Sequence, residues 1–499
     1  MERFEPLKQR FADAWALWSI LAAQATLTLP WMWRTIAYTN EALYLVNAHQ
    51  GWSEMRADAS TYPGLPVIYP PLAGALDGAG KFLTDTTGGL VAARLLSLVF
   101  MLLATALIYL TGDRLFGRIS GVLAALLFAV CGIIVHLGAA VTFDPMALCL
   151  LVLAFYAAVK MRDGGVRWLL ICPLALAAAN ATKYATTAWD PLIVGSIVLY
   201  GWSKGRVQSL FLTVSVAVTT AIIDLAILIL GGNKLARGIV DNTVYRSSQA
   251  GPTSSTLSVL SHALLMTGLI VLIAVAGIWV SVVKRMPATA TAFLCLLVLA
   301  ALIAPVDQAI LHQITSLDEN MGFGLPFAAL AAGYALGAWR QWLGWQRHWG
   351  KIAATTAAVV TVITMLIVGR VERVQFRGPA VQVASAVWPV VRSHFVRYSL
   401  VLNDGQTVTA EYYLPSIPAD AWRTFYRIPS NHTRQMVKAG CFSVVMLDPA
   451  KSYPTLVDDL KSADYQQLPT APAASQRVVI WSLSKPQVYR QSRDHGPCP

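Results

Sequence analysis

Charged side chains that interrupt long apolar runs are the first candidates for chemistry in this sequence. They are carboxylates, basic groups and one imidazole: Arg94, His136, Asp144, Lys183, Asp190, Asp224 and Asp307. An ionisable group at membrane depth is unfavourable by several kcal/mol unless it is paired or hydrated. Basic groups suit a phosphate, whereas carboxylates can bind sugar hydroxyls or take up a proton. Any one of them could form a structural pair, but together, towards one face, they predict a hydrated cavity of mixed charge.

The sequence that must position these groups is typical of a polytopic membrane protein. Hydrophobic residues make up 56% of the 499 residues and charged residues 13%, against a charged share of about 25% in soluble globular proteins. About eleven runs approach the roughly 20 apolar residues that a helix needs to cross a bilayer. They lie at 14–36, 88–111, 119–139, 141–160, 167–183, 186–202, 207–231, 257–283, 288–310, 319–339 and 352–370. The predicted fold is therefore mainly α-helical, with about eleven transmembrane helices.

Lysine and arginine residues indicate the orientation of these helices, because short cytosolic loops carry an excess of both. They are concentrated in alternate loops, at residues 1–10, 112–118, 160–167, 203–206, 283–286 and 339–351. These loops and the amino terminus are assigned to the cytosol. The outer side then receives the long loop 37–87, the loop 232–256, the turn 312–319 and everything after about residue 371. The formal charge of +12 thus reflects membrane orientation rather than nucleic-acid binding.

The composition changes sharply after residue 372. Residues 1–372 form the membrane module, and residues 373–499 alternate short helical and strand patterns, which predicts a small extracytosolic α/β domain. This domain could also be a lid or packing unit without chemistry. An outer compartment permits a disulfide between Cys441 and Cys498, although their separation in space is not fixed by the sequence. No phosphate-binding loop or nucleotide fingerprint occurs, so neither ATP-driven transport nor direct use of a nucleotide sugar is indicated.

The first outer loop begins with TNEALYLVNAHQGW, residues 39–52, in which Asn40 and Glu41 are adjacent. This stretch and five later ones resemble, in order, the GT-C superfamily of integral membrane glycosyltransferases. The later stretches are LPVIYPPLAGAL (65–76), AARLLSLVF (92–100), GAAVTFDPMALCLLVLAFY (138–156), ANATKYATTAWDP (179–191) and SLDENMGFGLPFAALAAGYAL (316–336). The branch most resembled is the protein O-mannosyltransferase and aminoarabinose-transferase group, especially its bacterial members. The ordered set is specific, whereas each motif alone is weak.

The resemblance implies transfer of a sugar from a polyprenyl-phosphate carrier to a hydroxyl group on a glycan, lipid or protein. Transfer would occur with inversion on the outer face of a bacterial plasma membrane. No cofactor is implied. No metal is required, because two or three cationic donors near the phosphate stabilise its departure, although paired acids leave metal binding open. Neither an HExxH motif nor a cysteine-rich ligand spacing occurs.

The family motifs also imply roles for individual residues. Asp144 matches a second family acid at the outer start of a helix. The residues that would shape the donor pocket or bind the phosphate and the sugar are Tyr69, Pro70, Pro71, Arg94, Lys183, Tyr184, Tyr245, Arg246 and His312. Of these, Arg94 and Lys183 match basic positions suited to the lipid phosphate.

Asn40 stands where the family has an aspartate that is placed to take the acceptor proton. An amide has no useful basicity, so Asn40 can hydrogen-bond a sugar but cannot accept its proton. Either Glu41, Asp144 or another loop acid such as Asp58 acts as the base, or the protein binds without catalysing. The rivals are thus a non-catalytic relative that binds lipid-linked sugar or scaffolds envelope-glycan assembly, and a lipid or glycan transporter. A transporter would be expected to have charged or broken helices at the midplane and two matched halves, which the sequence lacks.

Overall fold

The structure is a computed structural model. It describes residues 5–34, 37, 39–49, 69–163, 166–202, 205–243, 254–314, 317–343, 356, 359–370, 387–397, 399–403, 412–414, 416–417, 421–424, 431–447, 453–469 and 478–486. The helices of the membrane region, in chain order, are α1 Glu5–Arg34, α2 Thr39–His49, α3 Tyr69–Leu83, α4 Thr86–Phe116, α5 Arg118–Val130, α6 Gly132–Gly138, α7 Asp144–Lys160, α8 Val166–Thr182, α9 Asp190–Gly201, α10 Arg206–Thr243, α11 Thr256–Val283, α12 Ala288–Ile310, α13 Leu317–Leu343 and α14 Val359–Arg370. A 3₁₀ turn, Tyr184–Trp189, joins α8 to α9.

Each predicted membrane span contains a helix, but the helices differ in length from the predicted spans. Within the described residues, five helices are long and apolar enough to cross a bilayer, namely α4, α10, α11, α12 and α13. Helices α5 and α6 would add a sixth span if counted together, although they are bent by 66°. The predicted count of about eleven is not confirmed. Helices α7 and α8 have only 17 residues each, since a non-helical turn precedes Asp144 and Lys183, after Thr182, is extended.

Helix α13 is the central element of the bundle. Its membrane-length segment is 100% buried, and it packs against α5, α11 and α12. Gly333 permits the close approach to α5, because a Cβ atom there would lie 2.5 Å from the carbonyl oxygen of Ser120. By contrast, the equivalent segment of α10 is only 11% buried. The acidic residues in the first turn of α13 therefore enter the interior of the bundle.

A five-stranded sheet lies in the carboxyl-terminal part of the chain. Its strands are β1 Leu400–Asn403, β2 Trp422–Thr424, β3 Phe442–Leu447, β4 Gln466–Gln467 and β5 Val479–Ser482, in the order β2-β1-β3-β5-β4. Strands β1, β2 and β3 are parallel, and β5 pairs antiparallel with β3 and β4. Helices α15 (387–394), α16 Asn431–Lys438 and α17 Pro454–Ser462 accompany it. We call residues 387–486 the carboxyl-terminal unit; the predicted domain boundary at residue 372 and the extracytosolic location stay predictions.

Both faces of the central strands β1 and β3 are buried, as expected for a layered α/β arrangement. Leu400 and Leu402 of β1 pack with α16 and α17, whereas Val401 between them packs with α15. Cys441, directly before β3, is in a disulfide. Its predicted partner Cys498 lies outside the described residues.

Two consecutive tyrosines join the carboxyl-terminal unit to the membrane region. The Tyr412 hydroxyl donates to Asp77 Oδ1 of α3 at 2.5 Å, and the ammonium of Lys81 lies 4.0 Å from the centre of the Tyr412 ring. The Tyr413 hydroxyl accepts a 3.0 Å hydrogen bond from the backbone N–H of Ala37, just before α2. Burial raises the pKa of Tyr412, so the phenol stays protonated and able to donate. The carboxyl-terminal unit is thereby held against the end of the bundle at which α2 begins.

Candidate active site

A buried ion pair between Asp144 and Lys183 is the centre of the candidate site. Asp144 is the first residue of α7, where the helix dipole favours a carboxylate and the following Pro145 suits the first turn. Lys183 follows α8 in an extended conformation, with φ −149° and ψ 106°. Its Nζ atom lies 2.5 Å from Asp144 Oδ1. Two chain turns, 39 residues apart in sequence, thus bring opposite charges together inside the protein.

The pair has hydrogen-bonding capacity that the described residues do not use. Asp144 is 0% exposed, yet its second oxygen, Oδ2, has no partner in the described part of the chain. A lysine ammonium has three donors, and Asp144 is the acceptor that the described residues provide for Lys183. The rings of Phe143 and Phe323 flank the ammonium at 5.8 and 5.2 Å. A buried polar atom without a partner is unfavourable, so this arrangement fits a polar ligand that accepts from Lys183 and donates to Asp144.

Glu41 and Arg94 form a second buried ion pair beside the first. Arg94 donates from Nε to Glu41 Oε1 at 2.8 Å and from Nη2 to Glu41 Oε2 at 2.7 Å. Its Nη1 atom donates to the carbonyl oxygen of Met32 at the end of α1. Glu41 Oε1 also accepts from the backbone N–H of Val141, three residues before Asp144. Both side chains are 0% exposed, so the pair ties α1, α2 and α4 to the turn that carries Asp144.

Asn40 contacts a carboxylate that the sequence did not single out. Its Nδ2 atom donates to Glu319 Oε1 at 3.2 Å. Glu319 lies in the first turn of α13 and is 9% exposed. The neighbouring Asp318 pairs instead with His136, at 3.6 Å between Nε2 and Oδ2. Glu319 could have been recognised as a candidate from its position in the segment SLDEN, at the outer start of a predicted span.

The side-chain amide of Asn180 is hydrogen-bonded to two other acids at membrane depth. Asn180 Nδ2 donates to Asp190 Oδ2 at 2.8 Å and to Asp224 Oδ2 at 3.0 Å. The Thr186 hydroxyl contacts Asn180 Oδ1 at 2.7 Å and the carbonyl oxygen of Lys183 at 2.9 Å. This hydrogen-bond network stabilises the turn that carries Lys183.

The other residues predicted for the substrate site have varied surroundings. Tyr69, Pro70 and Pro71 form the first turn of α3, and the buried Tyr69 hydroxyl lies 2.6 Å from Ser97 Oγ. Tyr184 directly follows Lys183 and begins the 3₁₀ turn. His312 is exposed, and its Nδ1 atom lies 3.3 Å from Thr256 Oγ1. Tyr245 and Arg246, like the alternative base Asp58, lie outside the described residues.

Comparison with known proteins identifies the architecture. The family described as dolichyl-phosphate-mannose-protein mannosyltransferase matches residues 70–229. The solved structure of ArnT from Cupriavidus metallidurans bound to undecaprenyl phosphate is 14% identical, with a TM-score of 0.62 over 93% of this chain and 97% of that chain. The chain therefore has the fold of the GT-C superfamily. Archaeal oligosaccharyltransferase AglB from Archaeoglobus fulgidus, in complex with an inhibitory peptide and a dolichol-phosphate, is 12% identical, with a TM-score of 0.57 over 88% and 70% of the two chains. Comparison with curated protein sequences finds no match.

The GT-C resemblance predicted from the sequence is thus confirmed, and several residues that it pointed to are brought together. Asn40, Glu41, Arg94, Asp144 and Lys183 all lie at the end of the bundle that meets the carboxyl-terminal unit. Their roles in the site stay predictions. Among the described residues, no three His, Cys, Asp or Glu side chains are grouped as a metal site requires.

Proposed function

We propose that this chain is a membrane glycosyltransferase that transfers a sugar from a polyprenyl-phosphate donor to a hydroxyl acceptor, with inversion. The observation that carries the proposal is the incompletely bonded pair of Asp144 and Lys183. ArnT was solved with undecaprenyl phosphate and AglB with a dolichol-phosphate, which supports a lipid phosphate as the ligand of such a fold. The sugar and the acceptor are left open.

In this proposal Lys183 binds the phosphate of the donor. Its ammonium is held by Asp144 and flanked by two aromatic rings, and the Lys183 side chain is buried. A charge-assisted hydrogen bond to phosphate is stronger in such surroundings than in water. When the bond between the anomeric carbon and the phosphate oxygen breaks, the electron pair stays on the phosphate, and the fixed cation stabilises the added charge. Asp144 Oδ2 is available to accept from a sugar hydroxyl.

The site is assigned to the outer face of a bacterial plasma membrane. The Lys and Arg distribution supports this assignment, since the loops predicted to be cytosolic include none of the site residues. The contacts of Tyr412 and Tyr413 with α2 and α3 put the carboxyl-terminal unit at the same end of the bundle as the site. Donor lipid, acceptor and carboxyl-terminal unit would then share one compartment.

The activity is tested with the purified full-length protein and a panel of polyprenyl-phosphate sugars and hydroxyl acceptors. Sugar transfer, detected by mass spectrometry, is the expected result. Saturable donor binding without transfer to any acceptor would favour the non-catalytic alternative, which Asn40 makes the strongest rival. If the protein neither binds a donor nor transfers a sugar, the proposal is refuted.

The role of Lys183 is tested by binding of a short-chain polyprenyl phosphate to variants of the pair. Lys183→Met alone would leave the buried Asp144 without a counter-charge, which is destabilising by about 3–5 kcal/mol. The double variant Asp144→Asn/Lys183→Met removes both charges and is the cleaner comparison. We expect its affinity to fall by about 10- to 150-fold, since such a hydrogen bond contributes about 1.5–3 kcal/mol. Lys160→Met, at the other end of α7, is the matched control, and equal affinity in the control and the double variant would contradict the assignment.

A further inference from the structure

The proposed reaction needs a base, and the described carboxylates near Lys183 differ in how they are bonded. Glu41 accepts two hydrogen bonds from Arg94 and one from the backbone of Val141. Asp144 accepts from Lys183 and belongs to the group that binds the donor in our proposal. Proton uptake by Glu41 would break its ion pair with the buried Arg94, which makes Glu41 a poor base. Asp318 pairs with His136, and Glu319 is the other acid in the first turn of α13.

Helical geometry places Glu319 on the side of α13 that faces the lysine. Glu319 and Phe323 are four residues apart on α13, so their side chains share one face of the helix. The Lys183 Nζ atom lies 5.2 Å from the centre of the Phe323 ring, and Lys183 interacts electrostatically with both Asp144 and Glu319. Glu319 therefore belongs to the same cluster of polar side chains as Lys183, the residue proposed to bind the phosphate.

Asn40 marks the position of Glu319 relative to the first outer loop. The Asn40 amide donates to Glu319 Oε1 at 3.2 Å. The resemblance places the proton-accepting aspartate of the family at residue 40. A carboxylate from α13 thus reaches the neighbourhood of the position from which the family's carboxylate is missing.

We propose that Glu319 is the general base of the reaction and that Asn40 is its positioning residue; this inference rests on the proposed glycosyl transfer. The acceptor O–H proton moves to the Glu319 carboxylate while the acceptor oxygen forms a bond to the anomeric carbon. The bond from that carbon to the phosphate oxygen breaks, and its electron pair leaves with the polyprenyl phosphate at Lys183. The protonated Glu319 then loses its proton to water. Asn40, which replaces the family's aspartate, orients the Glu319 carboxylate, and Glu319 accepts the proton in place of that aspartate.

The test uses Glu319→Gln and a swapped variant in the full-length protein. Glu319→Gln keeps the shape of the side chain but removes its basicity, so we expect kcat to fall by about 100-fold or more, with donor binding and melting temperature retained. The swapped variant Asn40→Asp/Glu319→Gln again pairs an amide with a carboxylate and returns a base to the site. We expect it to recover about tenfold or more of the lost rate. Asp318→Asn, one residue away and outside the proposed machinery, is the matched control and should retain activity.

The outcomes separate this inference from the proposed function. An inactive wild-type protein across the donor panel refutes the proposed function, and the base assignment falls with it. An active wild-type protein with Glu319→Gln at the wild-type rate overturns the base assignment alone. A Glu319→Gln variant that loses donor binding or folding, with no recovery in the swapped variant, assigns Glu319 a structural role and also overturns it. Slow transfer with normal donor affinity and recovery by the swap supports it.

Discussion

Arg94 and Lys183 are both buried basic residues beside carboxylates, but their bonds differ. The Nε, Nη1 and Nη2 atoms of Arg94 all donate to protein groups, two to Glu41 and one to Met32. The resemblance assigns Arg94 to the lipid phosphate. Its contacts instead favour a role in holding the first outer loop in place, which leaves Lys183 as the stronger candidate for the phosphate.

We therefore predict that Arg94→Met destabilises the protein without weakening donor binding in the folded fraction. Removal of the guanidinium takes away the charged partner that the buried Glu41 has in Arg94, and breaking a buried ion pair is destabilising by about 3–5 kcal/mol. Thermal unfolding in detergent and titration with a polyprenyl phosphate measure the two quantities separately. Arg434→Met is the control, because Arg434 is about one-third exposed, at 32%, and its partner Asp459 would keep its second ion pair, with Lys438. A stable Arg94→Met variant with weakened donor binding would restore the phosphate role.

Sequence reasoning found the residue types of the site but not their partners. Asp144 and Lys183 could be recognised because charged residues at the ends of apolar runs are unfavourable unless they are paired or hydrated, and they often mark functional sites. Glu319 could not be linked to Asn40, since 279 residues separate them and no single-chain pattern reports that distance. The Arg94–Glu41 pair was missed for the same reason, because 53 residues separate its members in the sequence.

At the scale of elements, apolar length located the helices well but not their interruptions. The predicted span 288–310 coincides with α12, and 257–283 differs from α11 by one residue. The predicted span 119–139 is instead two helices, since the backbone at Cys131 is extended, with φ −61° and ψ 132°. The 3₁₀ turn after Lys183 overlaps the start of the predicted span 186–202 and has no periodic signal of its own. The carboxyl-terminal strands β1, β3 and β5 lie in segments that read as strands, whereas β4 is only two polar residues long.

The packing of α13 gives a prediction at this scale. Gly333→Ala would place a methyl group 2.5 Å from the Ser120 carbonyl oxygen and 2.8 Å from the Ala124 backbone nitrogen on α5. Backbone atoms cannot move aside as a flexible side chain can, so α13 must shift. Because overpacking is destabilising by about 1–3 kcal/mol, we expect a lower melting temperature and slower sugar transfer, since α13 carries Glu319.

Gly195→Ala in α9 is the matched control for this substitution. A Cβ atom at Gly195 would meet nothing within 4 Å, and alanine is favoured over glycine in a helix by about 1 kcal/mol. This variant should be at least as stable as the wild type. Equal melting temperatures for Gly333→Ala and the wild type would show that the backbones of α5 and α13 are not in close contact at Gly333.

At the scale of the whole molecule, the carboxyl-terminal unit and the candidate site meet through one hydrophobic cluster. Tyr412 packs with Ala37, Ala42 and Tyr69, and the same cluster includes Val141 and Met146 on either side of Asp144. Helix α2, which carries Asn40 and Glu41, therefore lies between the Asp144–Lys183 pair and the carboxyl-terminal unit. Composition predicted a separate domain in the tail, but the tyrosine pair that docks it gave no recognisable signal in the sequence.

The last prediction is that Tyr412→Phe loosens the carboxyl-terminal unit from the bundle. The substitution keeps the ring over Lys81 but removes the hydrogen bond to the buried Asp77, and a bond to a charged group contributes about 1.5–3 kcal/mol. The neighbouring Tyr413 hydroxyl protects the Ala37 amide, so looser docking should speed hydrogen exchange in the peptide that contains Ala37. Tyr465→Phe is the control, because Tyr465 bonds to Phe442 within the unit and does not reach the bundle. Since Ala37 leads into α2, faster exchange should be accompanied by slower sugar transfer. Unchanged exchange at Ala37 would mean that the apolar cluster alone holds the unit in place.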